Sequence, residues 1–329
     1  MPAGCRHDRE TIWMPAENEH DRQTVCKLRE RKQPDIKYPQ IKEANMNGTL
    51  YLVATPIGNL GDISARALET LRSVDLIAAE DTRNTIRLLN HFEIRKPLTS
   101  YHEYNKYDKA EVLIGHLRRG ENIACVSDAG TPAISDPGEV LAARCIEEGI
   151  RVTSIPGACA LITALTMSGM PARRFCFEGF LPSDKKEHKR ILNQLVREER
   201  TIILYEAPHR LKTTLEELRD TLGGSRRITL CRELTKRYEE AIPLTLDSAL
   251  SYYEENEPRG EYVLILAGAD PDALAEQEHR SWDTVPLEEH MEIYLSKGMT
   301  RKEAMKKVAA DRGLSRRDIY RALLQEENG

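Results

Sequence analysis

Two acids, Asp128 and Asp136, sit in a stretch that nearly repeats itself: Val126 to Gly138 reads VSDAGTPAISDPG, one Ser-Asp-Ala-Gly turn followed by Ser-Asp-Pro-Gly. Glycine turns that leave an apolar run, here Ile123 to Val126, often cradle phosphate with main-chain N–H groups. This one holds two aspartates and no lysine, and neither G-x-G-x-x-G nor G-x-x-x-x-G-K-[ST] occurs in the chain. A dinucleotide or P-loop nucleotide is therefore not expected.

Three further loops leave apolar runs in the same sense: TPIGNLGD after Leu50 to Ala54, AEDTRNT after Leu76 and Ile77, and IPGACAL after Val152 and Thr153. Four such strand ends converging on one crevice would make a tight, backbone-lined pocket, because Gly130, Gly138 and Gly157 let main chain approach a ligand closely. Asp62, Glu80, Asp81, Asp128 and Asp136 would repel bare phosphate and favour a cation or a hydroxyl-rich group. The spacing of Asp128 and Asp136 fits no cation-loop pattern and no histidine cluster assists, so no metal is expected. A sulfonium such as S-adenosylmethionine suits the loops better, since its positive sulfur welcomes carbonyls and a nearby acid while its ribose needs acceptors. Asp128 is the acid expected at the ligand or closing a turn on its own backbone, and Asp136 the one expected to cap a helix.

The elements that must position these loops follow from apolar patterning. From Leu50 to about Ser168 short apolar runs alternate with longer amphipathic ones, a βαβα rhythm that implies a mostly parallel sheet in an N-terminal α/β domain over 46–169. A break at Gly169-Met170-Pro171 opens a second α/β domain over 170–267, whose runs vary more in length and suit a mixed sheet. Residues 268–285 read as a linker, and 286–329 as three short helices with Thr300 and Ser315 as N-caps. Ala304, Val308, Ala309, Leu314, Ile319, Tyr320 and Leu323 would share a small core across Gly313, as in a helix-turn-helix.

Residues 1–45 are polar and aperiodic, and read either as an upstream extension with Met46 as the true start or as a disordered arm. The 329-residue chain carries a net charge of −5, so no global signature of nucleic-acid binding exists. A local one does: eight Lys or Arg lie between Lys297 and Arg317. Seven cysteines without a C-x-x-C pair fit a reduced compartment. With neither a membrane-length apolar run nor a signal-like N-terminus, a cytoplasmic protein is expected.

The order TLYLVATPIGNLGDIS, LIAAEDTRNTIRLLNHFEI, SYHEYN, VSDAGTPAISDPG, PGACA, FEGFLP, YEAPHRL and CRELTKRYEE closely resembles the small-subunit ribosomal RNA cytidine 2'-O-methyltransferase family, a branch of the tetrapyrrole methylase superfamily. The resemblance runs from about Gly48 to the C-terminus, and the 45-residue leader is its visible departure. It implies a two-domain α/β class III methyltransferase with a helix-turn-helix module. It also implies a cytoplasmic homodimer that uses S-adenosylmethionine, without metal, to methylate the ribose of a decoding-region cytidine, number 1402, of 16S rRNA in the small subunit.

By position, cofactor contacts are then expected from Pro56, Ile57 and Gly58, from Ser127, Asp128, Ala129, Gly130 and Thr131, and from Pro156, Gly157, Ala158 and Ala160. Candidates to receive or orient the hydroxyl proton are Glu80, Asp81, Glu103 and Glu206. Arg83, His209 and Arg210 are expected on RNA phosphate, helped by Lys185, Lys186, Lys189 and Arg190 and, in the tail, by Arg301, Lys302, Lys306, Arg316 and Arg317. Plainer roles compete: Glu80 to Thr82 could only charge a helix N-terminus, Arg210 could only pair with a carboxylate, and a basic helix is usually a solvated face. Two rival functions remain open on sequence, a sibling enzyme with another acceptor and an RNA-binding protein without catalysis.

Overall fold

The computed structural model describes residues 47–326 apart from 273, 275, 277, 278, 280, 281 and 283. The leader at 1–45 lies outside the described residues. The first sheet contains β1 (Thr49–Val53), β2 (Leu76–Ala79), β3 (Leu98–Ser100), β4 (Ile123–Val126) and β5 (Arg151–Ile155), all parallel, in the order β3-β2-β4-β1-β5. Because side chains alternate across a strand, Ile123 and Cys125 face one way and Ala124 and Val126 the other, and all four are buried. Helices cover both faces, as a parallel sheet requires. The connections α3 (Lys106–Arg118) and α4 (Gly138–Glu147) close one side, with Leu113 and Leu141 in the core, and α1 (Ala65–Ser73) and α2 (Thr82–His91) close the other, with Leu71 and Leu89. Parallel strands put the loops after β1, β2, β4 and β5 at one edge.

After α5 (Ala160–Ser168) the chain builds a mixed sheet from β6 (Phe175–Phe180), β7 (Thr201–Glu206), β8 (Arg227–Arg232), β9 (Glu240–Thr245) and β10 (Tyr262–Leu266), in the order β6-β7-β10-β8-β9. Only β6 and β7 pair in parallel. One face carries α6 (Lys185–Leu195), α7 (Leu211–Leu222) and α8 (Leu246–Glu255), whose Leu192, Leu215 and Ala249 share a core with Leu204, Leu230 and Leu264. The opposite face, with Ile203, Cys231 and Ile265, packs on Leu161, Ala164 and Leu165 of α5 and on Ile57. Thus one loop and one helix of the first sheet's segment are built into the second sheet's core, which holds the cleft between them in shape.

Sequence patterning missed two strands. β9 contains Pro243, which lacks a ladder donor and is tolerated because β9 is an edge strand. β3 has three residues, too few to show alternation.

The C-terminal module comprises α9 (Leu287–Leu295), α10 (Arg301–Asp311) and α11 (Arg316–Glu326). Thr300 and Ser315 cap as expected, with Glu303 N–H donating to Thr300 at 3.4 Å and Asp318 N–H to Ser315 at 3.2 Å. The core joins Ala304, Val308, Ala309, Ile319 and Leu323 to Leu287 and Met291 of α9. Leu314 and Tyr320, expected inside, are 50% and 56% exposed, the core being filled instead by Leu287 and Met291 of α9. The proposed linker at 268–285 is described only in part; Ala269 at its start is buried and donates its N–H to the Glu198 carbonyl at 2.6 Å. No helix among the described residues is long and apolar enough to cross a membrane.

Candidate active site

The loops after β1, β4 and β5 are stitched together by main chain. Thr55 N–H donates to the Gly130 carbonyl at 2.9 Å and Gly130 N–H returns a bond to Thr55 at 3.1 Å, while the Thr131 hydroxyl donates to the Ala158 carbonyl at 3.0 Å. This close approach needs glycine. Gly130 has φ +85°, where L residues are strained, and a Cβ there would stand 3.1 Å from Cγ2 of Ile57. A Cβ on Gly157 would stand 2.9 Å from Cβ of Ala54.

The second loop joins through side chains. Asp81 N–H donates to Oδ1 of Asp128 at 3.0 Å, the Asn84 amide reaches Oδ2 at 3.4 Å, and Asp128 N–H points to Oε2 of Glu80 at 3.4 Å. Asp128 therefore bridges two loops, where a turn on its own backbone was one expectation. Asp136 accepts N–H bonds from Ala133 at 2.9 Å, Ile134 at 3.2 Å and Gly138 at 2.8 Å, holding a turn in which Ala133 and Ser135 adopt φ of 68° and 63°. The two halves of VSDAGTPAISDPG thus do different work: one ties loops together, the other shapes its own turn and tethers the first N–H of α4.

These loops form one wall of a cleft of about 590 Å³, and the ends of β6, β7 and β10 form the other. Ile57, Glu80, Ser127, Asp128, Ala129, Gly130, Thr131 and Ala160 line the first wall, and Glu206 and His209 the second. Pro56, Gly58, Pro156, Gly157 and Ala158 do not line it. Gly58 lies behind it, where a Cβ would meet the Lys236 side chain and the Leu234 carbonyl. Sequence reading passed over Ser135, Cys159, Phe180, Tyr205 and Tyr262, which also line the cleft. A glycine inside the strand FCFEGF was the available signal for Phe180, since an interior strand glycine often marks a bulge.

The four acid candidates separate cleanly. Glu80 is half-buried in the cleft; burial raises its pKa above the usual 4.5, the Asp128 N–H pulls it down, and the charges of Asp128, Asp136 and Asp81 push it up again. Asp81 is pulled down to about 2 by its hydrogen bonds to Arg83, with the guanidinium at 2.6 Å. Glu103 is exposed and paired with Lys106 at 2.5 Å, outside the cleft lining. Glu206 is buried and taken: the Thr214 hydroxyl donates at 2.5 Å, Ala207 N–H at 2.8 Å, and Arg210 Nε lies at 3.7 Å.

Of the cations, His209 stands exposed in the cleft wall, whereas Arg210 also donates to the Leu181 carbonyl at 3.2 Å and so braces the loop before α6. Arg83 is exposed beside Asp81. Lys185, Lys186, Lys189 and Arg190 are exposed on α6, and Arg301, Lys302, Lys306, Arg316 and Arg317 are exposed on α10 and α11; none of them lines the cleft. Among the described residues no group of three or more His, Cys, Asp or Glu could hold a metal ion.

Residues 49–250 match the family model of tetrapyrrole (corrin/porphyrin) methylases. The chain is 50% identical over 280 residues to the Ribosomal RNA small subunit methyltransferase I of Synechocystis, covering 85% of this chain and 99% of the relative. It is 48% identical over 275 residues to the protein of that name from Bacillus subtilis, covering 84% and 94%. Among solved structures it resembles diphthine synthase (TM-score 0.53, 14% identity, 67% of this chain and 90% of that one) and the methyltransferase CobJ (TM-score 0.53, 18% identity, 68% and 95%). With a glycine-dependent cleft between two α/β layers and near-half identity along almost the whole of such relatives, this chain belongs to the tetrapyrrole methylase family, in the branch of the ribosomal RNA small subunit methyltransferase I proteins.

Proposed function

We propose that the protein transfers a methyl group from S-adenosylmethionine to the 2'-hydroxyl of a decoding-region cytidine, number 1402, in the 16S rRNA of the small ribosomal subunit. The observation that carries the reading is the half-identity spanning 99% of a relative named for small-subunit rRNA methylation. Cytoplasmic action as a homodimer belongs to the same reading through the family resemblance.

The cleft's chemistry fits the cofactor. Ser127, Ala129 and Thr131 bring main chain to the cleft beside Gly130, whose own N–H and carbonyl are paired with Thr55 and whose missing side chain leaves room, and Glu80 adds a negative group. Pro56, Gly58, Pro156, Gly157 and Ala158 support that surface from behind. S-adenosylmethionine supplies an electrophilic methyl whose bond to sulfur breaks, with its electron pair left on sulfur, as the ribose oxygen bonds to carbon. The ribose hydroxyl must then lose its proton. Glu80 is the acid we assign to accept or orient it, because it lines the cleft with a pKa raised chiefly by burial, while Asp81, Glu103 and Glu206 are each engaged elsewhere. The cleft's walls place the reactants and limit water, which is the main help a displacement of this kind needs.

His209 and Arg83 are assigned to phosphate near the cleft, and the exposed cations of α6, α10 and α11 to more distant RNA. Arg210 acts behind them as a brace. The test is transfer of labelled methyl from S-adenosylmethionine to small subunits isolated without this modification. Label entering 16S rRNA supports the proposal, and label restricted to protein or to a tetrapyrrole acceptor refutes it.

A further inference from the structure

Among the described residues that line the cleft, Phe180 is the one large apolar side chain left exposed, at 52%. Its position is built. The pairing of β6 with β7 shifts register between Phe177 and Gly179, so that Phe177 faces Ile203 and Phe180 faces Tyr205. In a regular strand, residues three apart point to opposite faces; the extra residue, Glu178, brings both phenyl rings to the same face. There they flank Tyr205 edge-on, with centroids 4.9 Å and 5.6 Å away. Gly179 makes the bulge possible with φ +64°, and a Cβ there would stand 3.1 Å from Oγ of Ser135 on the loop that carries Asp136.

An exposed phenyl ring fixed by a bulge, across a cleft from Glu80, has the character of a stacking surface for a nucleobase. Single-stranded RNA is commonly read by unstacked bases laid on aromatic side chains. We propose that Phe180 is the platform on which the base of the acceptor nucleotide stacks, with Tyr205 and the Gly179 bulge fixing the ring. The proposal rests on the RNA-methylating reading above. A ribose presented to Glu80 carries its base into the same cleft, and Phe180 offers that base an apolar face on the second wall. The platform orients the base and through it the 2'-oxygen, so Phe180 acts as a positioning residue.

The test compares wild type with Phe180→Leu, Phe180→Ala and Phe180→Trp, using unmodified small subunits as substrate and calorimetry with S-adenosylhomocysteine as the independent readout. The expected result is a loss of roughly 10- to 100-fold in kcat/KM for Phe180→Leu and Phe180→Ala, the range for removing one base–aromatic stack, with substantial recovery in Phe180→Trp. Affinity for S-adenosylhomocysteine should stay within about twofold of wild type, on the same stacking argument. Activity of Phe180→Leu equal to wild type overturns the proposal. So does a parallel loss of S-adenosylhomocysteine affinity, which would put the ring on the cofactor, or equal loss in Phe180→Leu and Phe180→Trp, which would mean packing. If Phe180→Ala does not fold, the leucine and tryptophan variants decide. Failure of wild type to methylate the subunits would instead sink the underlying reading of function.

Discussion

The carboxylate of Asp128 accepts the main-chain N–H of Asp81 at 3.0 Å, joining the loop after β4 to the start of α2. The same carboxylate holds the Asn84 side chain, so one acid sets the distance between two loops of the cleft wall. Replacing it with alanine leaves the Asp81 N–H and the Asn84 amide without their partner, while the main-chain N–H of residue 128 still reaches Glu80. Asp128→Ala should weaken S-adenosylhomocysteine binding at least tenfold in calorimetry and destabilise the fold by about 1 kcal/mol, the usual net worth of a hydrogen bond. Unchanged affinity would remove Asp128 from the architecture of the site.

Glu80 should show itself in a pH profile. Its pKa lies above the ordinary 4.5, and the charged form is the one that accepts a proton, so the acid limb of kcat should sit above pH 4.5 and the rate should rise as pH increases through it. Glu80→Gln should remove that limb and lower kcat by roughly 100-fold or more, in the range for a general base, with little change in S-adenosylhomocysteine affinity.

Gly130 and Gly157 should resist even the smallest side chain. Alanine at Gly130 must adopt φ +85° and press on Ile57, and at Gly157 it meets Ala54. A loss of about 1–2 kcal/mol in chemical denaturation is expected at Gly130, from an incompatible backbone conformation. Cofactor affinity should fall in both variants, because three loops are joined at these points.

The C-terminal module holds an acid-sensitive lock. His290 is fully buried and stacked on Trp282 at 3.7 Å; Arg312 Nε–H donates to its Nδ1 at 3.2 Å and its Nε2 faces Asp311 at 3.1 Å. An arginine cannot accept a proton, so Nδ1 is the acceptor and the ring is neutral, with its proton on Nε2. Burial lowers the pKa below 6.5, Asp311 raises it in part, and Arg312 lowers it further. A histidine held neutral in the fold contributes stability that is present above the unfolded pKa and is lost as pH falls from 6.5 through the lower folded value. Thermal unfolding should therefore show a drop in stability below pH 6.5 that flattens in His290→Gln.

Much of this was readable from sequence, for identifiable reasons. The four loops after β1, β2, β4 and β5 announce themselves because glycine, proline and acids interrupt strongly apolar runs, and parallel strands must send those loops to one edge. The capped helices of the tail were legible from Thr300 and Ser315. What patterning could not reach was pairing across distance: that Asp128 would bond Asp81 and Asn84, that Glu206 would be consumed by Thr214 and Ala207, or that a bulge at Glu178 would turn Phe180 into the cleft. Edge strand β9 stayed hidden behind Pro243, and the module's core takes Leu287 and Met291 of α9 where Leu314 and Tyr320 were expected.

Removal of residues 286–329 should leave S-adenosylhomocysteine binding intact while weakening action on small subunits, and the lost component should be the salt-sensitive one, since phosphate contacts release counterions. A KM for small subunits unchanged by the truncation would show that the exposed cations of α10 and α11 do not engage RNA.

The atom that receives the methyl decides between these functions. Small subunits lacking the modification should be incubated with the full chain and isotopically labelled S-adenosylmethionine, and the 16S rRNA digested to nucleosides and fragments for mass spectrometry. A single labelled cytidine in the decoding region, with the methyl on its ribose, is expected. Label on a base, on another nucleotide or on a ribosomal protein would contradict it.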